Sequence, residues 1–454
     1  MLKRLKSFRY LLVILPVFFG LFITAHASKK TGQNPIIIIP GLTGSELVNK
    51  RTGELVWYRV SRSKVDDIRL PLSTDLASSR DDLVPRDILR SVKIISFLPE
   101  VEIYDKLISA LEKNGYHEAK WETAGQDDKT NSIFVFAYDW RRDNTETARL
   151  LIRKIESLKK RLQDPHLRFD VIAHSMGGLI VRYAALYGDA DLPAGKPKPT
   201  WAGAENFDKI FLLGTPNQGS LEAFDSLLNG VSYIGSGLNL PWVQNLSRFD
   251  IFSIPSIFQL LPQEDSFTAY DEELNPLKID LFNPMAWEEY DWAIWQDPSF
   301  EKNFTAAERR IARAYFNIAL ARARKFQDAI NAETRRPQQP RFFVIGSDCK
   351  DTQVAVLLRR DQKKDRWITQ FKTDGFTNSS GQKISSEQLK KILFGPGDGT
   401  VPLRSLLTRD FGPRGSLTFE EEFLQCEEHS KLATNAAVQK KLFEILEVGQ
   451  SSSR

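Results

Sequence analysis

The sequence predicts an α/β protein with a mostly parallel central sheet, helices on both faces and an inserted cap. Three observations carry this expectation. Short β-branched or aromatic runs, each bounded by turn residues, recur at 35–39, 132–137, 168–173, 209–213 and 341–345. Uninterrupted apolar runs of this length suit strands buried on both faces. Helical patterns alternate with them at 101–114, 145–163, 176–187 and 430–446, the order that places helices over a parallel sheet. Finally, one long stretch breaks the rhythm, as an insertion would.

Taken in order, the chain opens on Lys3, Arg4, Lys6 and Arg9, then an apolar run over 10–23, then Ala25-His26-Ala27. This is the layout of a secretory signal peptide, with cleavage expected after Ala27 and export to the periplasm or the medium. The alternative is an uncleaved membrane anchor, against which stand the shortness of the run and its interruption by Pro16 and Gly20. Cleavage removes four of the 62 basic residues and none of the 58 acidic ones, so the remainder is near neutral. Charge therefore gives no reason to expect nucleic acid as a partner. The composition, 42% hydrophobic and 26% charged, is that of an ordinary globular protein. The two cysteines, Cys349 and Cys426, are too few for a disulfide scaffold or a cysteine zinc site; they could pair or remain buried thiols. No histidine–carboxylate cluster has ligand spacing, so neither a metal nor another cofactor is expected.

Residues 28–216 read as the first part of a core, interrupted after the first strand at 46–99 by a lid-like insertion carrying Trp57 and Tyr58. Residues 217–340 read as the cap: no clear buried strand, Gly-rich turns over 230–237, an aromatic cluster of Trp287, Trp292 and Trp295, and a charged helix over 305–335. Trp292 and Trp295 are at helical spacing, which suits core packing as well as a lipid-lining role. Residues 341–454 complete the core. No internal repeat is evident.

The chemistry concentrates at Ala173-His174-Ser175-Met176-Gly177, where a strand-like run meets a helical one. A serine between small residues at this junction is the setting of a nucleophile elbow. It would project Ser175 past the carboxyl edge of the sheet, where open α/β folds bind ligands. The plain alternative is a serine that caps the helix. Such a hydroxyl needs a base. Of five histidines, His26 leaves with the leader, His174 should point away from the turn, His166 lies toward the opposite sheet end, and His117 lies in an early helix-to-strand connection. His429, just before the last helix, is last in chain order, as an α/β-hydrolase triad requires. For the orienting acid, Asp398 in Gly397-Asp398-Gly399 is preferred over Asp348, which follows a strand; the alternative for Asp398 is an Asx-turn. An oxyanion hole would use the backbone N–H of Met176 and that of Leu42, in the loop Pro40-Gly41-Leu42-Thr43-Gly44.

These residues, with Tyr138-Asp139-Trp140-Arg141, the run Phe211-Leu212-Leu213-Gly214-Thr215-Pro216 and Gly397-Asp398-Gly399-Thr400-Val401-Pro402, resemble the lecithin:cholesterol acyltransferase family of α/β hydrolases, which includes lysosomal phospholipase A2. The resemblance runs along nearly the whole mature chain. It implies an α/β-hydrolase fold, with Ser175 as nucleophile, Asp398 as acid, His429 as base, and Leu42 and Met176 as oxyanion donors. It further implies that Trp57 and the cap tryptophans engage a lipid substrate at a membrane or lipid-particle surface, and that Tyr138–Arg141 is structural, with Asp139 ion-paired. The chain departs from animal relatives in having no cysteine near Trp57, where they close a loop by a disulfide. A Cys349–Cys426 bridge would join the end of one strand to the segment before His429. The expected reaction is acyl transfer through an acyl-enzyme, to a lipid hydroxyl or to water. A secreted carboxylesterase for soluble esters and a non-catalytic lipid-binding protein are the rival expectations.

Overall fold

Four consecutive isoleucines stay dry only if both faces of their strand are covered, and Ile36–Ile39 (β1) sits so, each side chain at most 1% exposed. The structure is a computed structural model and describes residues 32–59, 68–92, 101–231, 245–335, 337–338, 340–361, 364–408 and 417–447. The expected leader, 1–27, lies outside the described residues, as do parts of both expected insertions. Along the chain follow α1 (Asp105–Lys113), β2 (His117–Glu118), β3 (Ser132–Val135), α2 (Asn144–Leu162), β4 (Phe169–His174) and α3 (Met176–Tyr187). Then come β5 (Phe207–Leu213), α4 (Leu221–Asn229), α5 (Ala306–Ile330), β6 (Arg341–Gly346), β7 (Phe419–Leu424) and α6 (Ala436–Glu447).

The strands form one seven-stranded sheet in the order β7-β6-β5-β4-β1-β3-β2. Every neighbouring pair is parallel. Alternate side chains divide between two cores, as the strand period of two demands. Ile37, Ile39, Val171 and Leu212 join Leu151, Leu179 and Tyr183 of α2 and α3. Ile36, Ile38, Ile172 and Phe211 join Leu107 and Leu111 of α1 and Val438 and Leu442 of α6. At about 1.5–3 kcal/mol for each fully buried large apolar side chain, these layers fix the strand register firmly. This is the α/β-hydrolase architecture the sequence led us to expect.

The cap departs from its expected outline. The stretch read as free of buried strands contains Thr268–Tyr270, too short for its pattern to stand out, with Ala269 buried. It pairs parallel with Ala355–Asp361, which pairs antiparallel with Arg366–Gln370. The second sheet thus draws on chain from both sides of β6, and residue 340 is not its limit. The helix expected from residue 101 begins at Asp105, because Val101–Glu102 pairs with Ser91–Val92. The last helix is preceded by a 3₁₀ turn, His429–Thr434. The long helix α5 opens on a capping box between Thr305 and Glu308. Its far end rests on α3, where the buried Arg182 guanidinium donates to the Ile330 carbonyl at 2.7 Å and to Asn331 Oδ1 at 3.1 Å. A cation there complements the negative end of the helix dipole. Among the described residues, no helix is long and apolar enough to cross a membrane.

Candidate active site

At the carboxyl end of β4, the backbone of Ser175 takes φ 54° and ψ −125°, a strained conformation for a residue with a side chain. Ser175 occupies the cap position of α3, yet its side chain makes no capping bond. Its Oγ lies instead 2.9 Å from His429 Nε2. The simple capping alternative therefore fails, and the strain holds the hydroxyl out toward the ring.

His429 Nδ1 is 2.7 Å from Asp398 Oδ2. The other carboxylate oxygen accepts the amides of Thr400 at 3.0 Å and Val401 at 2.7 Å. The Asx-turn and the histidine contact, weighed as alternatives in the sequence, thus coexist on one side chain. Burial alone would raise the Asp398 carboxyl, but the His429 ring and the two amides together hold it below the usual carboxylate range. Burial likewise works against a charged His429; Asp398, by charge and hydrogen bond, outweighs it and raises the ring above 6.5. The backbone completes the clasp, with the His429 N–H donating to the Asp398 carbonyl at 2.9 Å. Gly214, at φ 56°, lies behind the pair: a Cβ there would come within 3.0 Å of both Asp398 Oδ2 and His429 Nδ1. A hydroxyl bonded to an imidazole that is itself oriented by a carboxylate can lose its proton to that ring.

The loop after β1 lies directly on the elbow, since a Cβ on Gly41 would meet Ser175 Cβ at 2.8 Å. Tyr138 Oη donates to the carbonyls of Pro40 at 2.8 Å and Gly41 at 3.2 Å, holding this loop from below. Leu42 and Met176, the expected oxyanion donors, flank Ser175 on this loop and on the first turn of α3. Beside Ser175 opens a cavity of about 480 Å³ whose lining includes Leu42, Trp57, Tyr58, Tyr104, Ala223 and Ile257. Its charged lining is Glu222 and Lys431.

Of the four tryptophans expected to meet lipid, only Trp57 lines this cavity. It is 1% exposed overall, and its Nε1 donates to the Thr43 carbonyl at 2.9 Å. Trp287 and Trp292 are buried in the cap, edge-on to each other and to Phe224 of α4, whose neighbour Ala223 faces the cavity. Trp295 packs edge-on to Phe316 under the Arg313 guanidinium. These three support the wall rather than form it. The Cys349–Cys426 disulfide is formed, with Cα atoms 5.4 Å apart. Cys349 leads into Lys350–Gln353, which pairs with Phe394–Gly397, the strand that leads into Asp398.

The remaining candidates fall elsewhere. Asp348 is exposed. His166 is exposed, and its amide donates to Asp164. His117 contacts Asp128 and Ser132 through the same ring nitrogen, at 2.8 and 3.2 Å, on the amino side of the sheet. Asp139 is ion-paired with the buried Arg141, which also binds Asp81. The sequence reading missed Tyr104 altogether and gave His174 no role. His174 is turned away from Ser175 Oγ as expected, but its ring packs 4.9 Å from that of His429. Tyr104 contacts both His174 and the Gly41 amide, and nothing in its local sequence marks it.

With this geometry in hand, comparison with known proteins locates the chain. The family model described as Lecithin:cholesterol acyltransferase matches residues 86–408. A curated relative, lecithin-cholesterol acyltransferase-like 4 of Arabidopsis thaliana, is 28% identical over 253 residues, covering 50% of this chain and 43% of that protein. The chain thus matches less than half the length of that relative. Among solved structures, the Tle4–Tli4 complex contains a chain that superposes with a TM-score of 0.58 at 15% identity, covering 93% of this chain and 99% of that one. That is a likeness of fold.

Proposed function

Because the chain belongs to the lecithin:cholesterol acyltransferase family, we propose that it moves a fatty-acyl group from a phospholipid or other acyl ester, through an acyl-enzyme, to a lipid hydroxyl or to water. The observation that carries this reading is the continuous arrangement of Ser175, His429 and Asp398, at 2.9 and 2.7 Å, beside an apolar cavity.

In this reading His429 Nε2 takes the Ser175 proton as Oγ attacks the ester carbonyl. The developing oxyanion is held by the Leu42 and Met176 amides, each such donor contributing about 3 kcal/mol to lowering the barrier. Asp398 keeps the proton on His429 Nδ1 and stabilises the imidazolium, which then protonates the departing alcohol. The acyl chain lies in the cavity past Leu42 and Trp57. An acceptor hydroxyl is deprotonated by the same ring and attacks the acyl-serine, regenerating Ser175. We place the protein outside the cytoplasm, exported by residues 1–27 with cleavage after Ala27, where its disulfide is stable. Retention of that segment would leave it membrane-anchored instead. Residues 217–340 form the greater part of the cap over the cavity.

The test uses residues 28–454 beside Ser175→Ala, with vesicles whose phospholipid carries a labelled acyl chain, with and without a sterol or long-chain alcohol. Labelled ester that requires Ser175 identifies transfer; labelled fatty acid alone identifies hydrolysis. Release confined to short soluble esters identifies a carboxylesterase and overturns the lipid substrate. No Ser175-dependent release from any ester overturns the reading altogether.

A further inference from the structure

The ring of His174, the residue just before the serine, is 8% exposed and has a hydrogen-bond partner on each nitrogen. Its Nε2 lies 3.1 Å from the backbone carbonyl of His429, and its Nδ1 lies 2.9 Å from Tyr104 Oη. Tyr104 is 2% exposed, and its oxygen is 3.0 Å from the Gly41 amide.

These partners leave one proton arrangement. A carbonyl oxygen only accepts, so His174 Nε2 must carry a proton. The groups facing the ring are His429, Asp398 and Tyr104; burial and the neighbouring His429 keep it neutral, pushed down to about 3. A neutral ring with a proton on Nε2 must accept at Nδ1, so the Tyr104 hydroxyl donates to it. The Tyr104 oxygen is then free to accept from Gly41. All three bonds run in one sense: Gly41 N–H to Tyr104, Tyr104 O–H to His174, His174 N–H to His429.

We propose that Tyr104 and His174 are positioning residues, whose directional hydrogen-bond chain fixes the loop bearing the Leu42 amide against the loop bearing the His429 ring. The proposal rests on the acyl-transfer reading of the site. The chain ties together four segments that meet only in the fold: the turn after β1, the approach to α1, the end of β4, and the turn before α6. It runs along the cavity wall beside Ser175 and touches no reacting atom. With the Gly41 N–H held by Tyr104 and its carbonyl by Tyr138 and the Gly44 amide, the Gly41 peptide is pinned on both sides. The next amide, that of Leu42, then has a fixed direction. At its other end the chain adds a backbone anchor to His429, whose N–H is held by Asp398 and whose ring is held by Asp398 and Ser175. Misplacing either loop affects the transition state more than substrate binding.

Two measurements test this independently. In protein labelled with ¹⁵N at histidine, His174 should show a protonated Nε2 and an unprotonated, hydrogen-bonded Nδ1, unchanged from pH 5 to 8. Titration of His174 in that range, or the opposite tautomer, overturns the proposal whatever the enzyme's activity. In kinetics, Tyr104→Phe and His174→Asn should each lower kcat about tenfold, roughly the effect of one buried hydrogen bond, with KM changed less than about twofold. Because both break the same chain, the double variant should resemble the worse single variant. Effects that multiply, a change confined to KM, or a Tyr104→Phe enzyme within twofold of wild type each overturn it. If wild type shows no Ser175-dependent turnover, the acyl-transfer reading falls and the histidine spectrum alone decides the chain.

Discussion

Replacing both Cys349 and Cys426 by serine should separate two effects of their bridge. The bridge spans 77 residues, and closing a loop of that length in the unfolded chain is worth about 4.5 kcal/mol by the chain-entropy relation. At a urea slope of about 3 kcal/mol per molar, the unfolding midpoint should fall by about 1.5 M. In the folded protein, other bonds span the same gap: Gln425 N–H to the Gly346 carbonyl at 2.8 Å, Glu427 N–H to Ser347 Oγ at 3.3 Å, and His429 N–H to the Asp398 carbonyl. Activity without urea should therefore stay within about tenfold of wild type, one such bond's worth of barrier. Yet the bridge ties the segment that carries the base to the strand paired beside the acid, so the variant should lose ester turnover at lower urea than its tryptophan fluorescence changes. Fluorescence and turnover would be followed on the same samples. A midpoint within about 0.3 M of wild type would refute the entropic argument, since that is under about 1 kcal/mol. Parallel loss of the two signals would refute the local one.

Four further outcomes are expected. The His429 ring is raised above 6.5, and turnover needs it neutral, so kcat/KM should fall as pH drops, with its acid inflection above 6.5. By linkage, that same shift contributes stability below pH 6.5 that is lost as pH rises through the folded value, and Asp398→Asn should abolish this dependence in denaturation midpoints. Asp398→Asn should also lower kcat by about 10⁴-fold with the fold intact, because the amide favours the wrong tautomer of His429; a loss under tenfold in initial-rate assays would remove Asp398 from the mechanism. Gly214→Ala places a methyl 3.0 Å from both halves of the acid–base pair and strains a positive φ, so activity should fall about 10²-fold while thermal unfolding shifts by only a few degrees.

Much of this was legible locally. Strand β1 announces itself because burial on both faces leaves no polar position to blur it, and β4 shows the same apolar run in Val171-Ile172-Ala173. Ser175 is legible because a tight turn between strand and helix constrains both flanks, and His429 because the other four histidines fail on position. What the sequence hides is held together by contacts between distant segments. Strand Thr268–Tyr270 exists because Ala355–Asp361 lies beside it, and three residues carry no readable period. The spacing of Trp292 and Trp295 suits core packing and admits lining; packing against Phe224 and Phe316 decides it. Tyr104 and His174 gain their roles from a carbonyl 255 residues away from the imidazole it meets.

The separation of 254 residues between Ser175 and His429 also sets an order of events during synthesis. The serine, its turn and the loop after β1 are made first, but a base reaches them only after a further 254 residues have been made. The acid and base lie beyond every strand of the cap sheet, so the segments that build the cap are complete before the hydroxyl can be activated. A truncated product, or a chain still leaving the ribosome, has the hydroxyl without the ring. On the proposed function, such a protein cannot attack the lipids of the cell that makes it until His429 is in place.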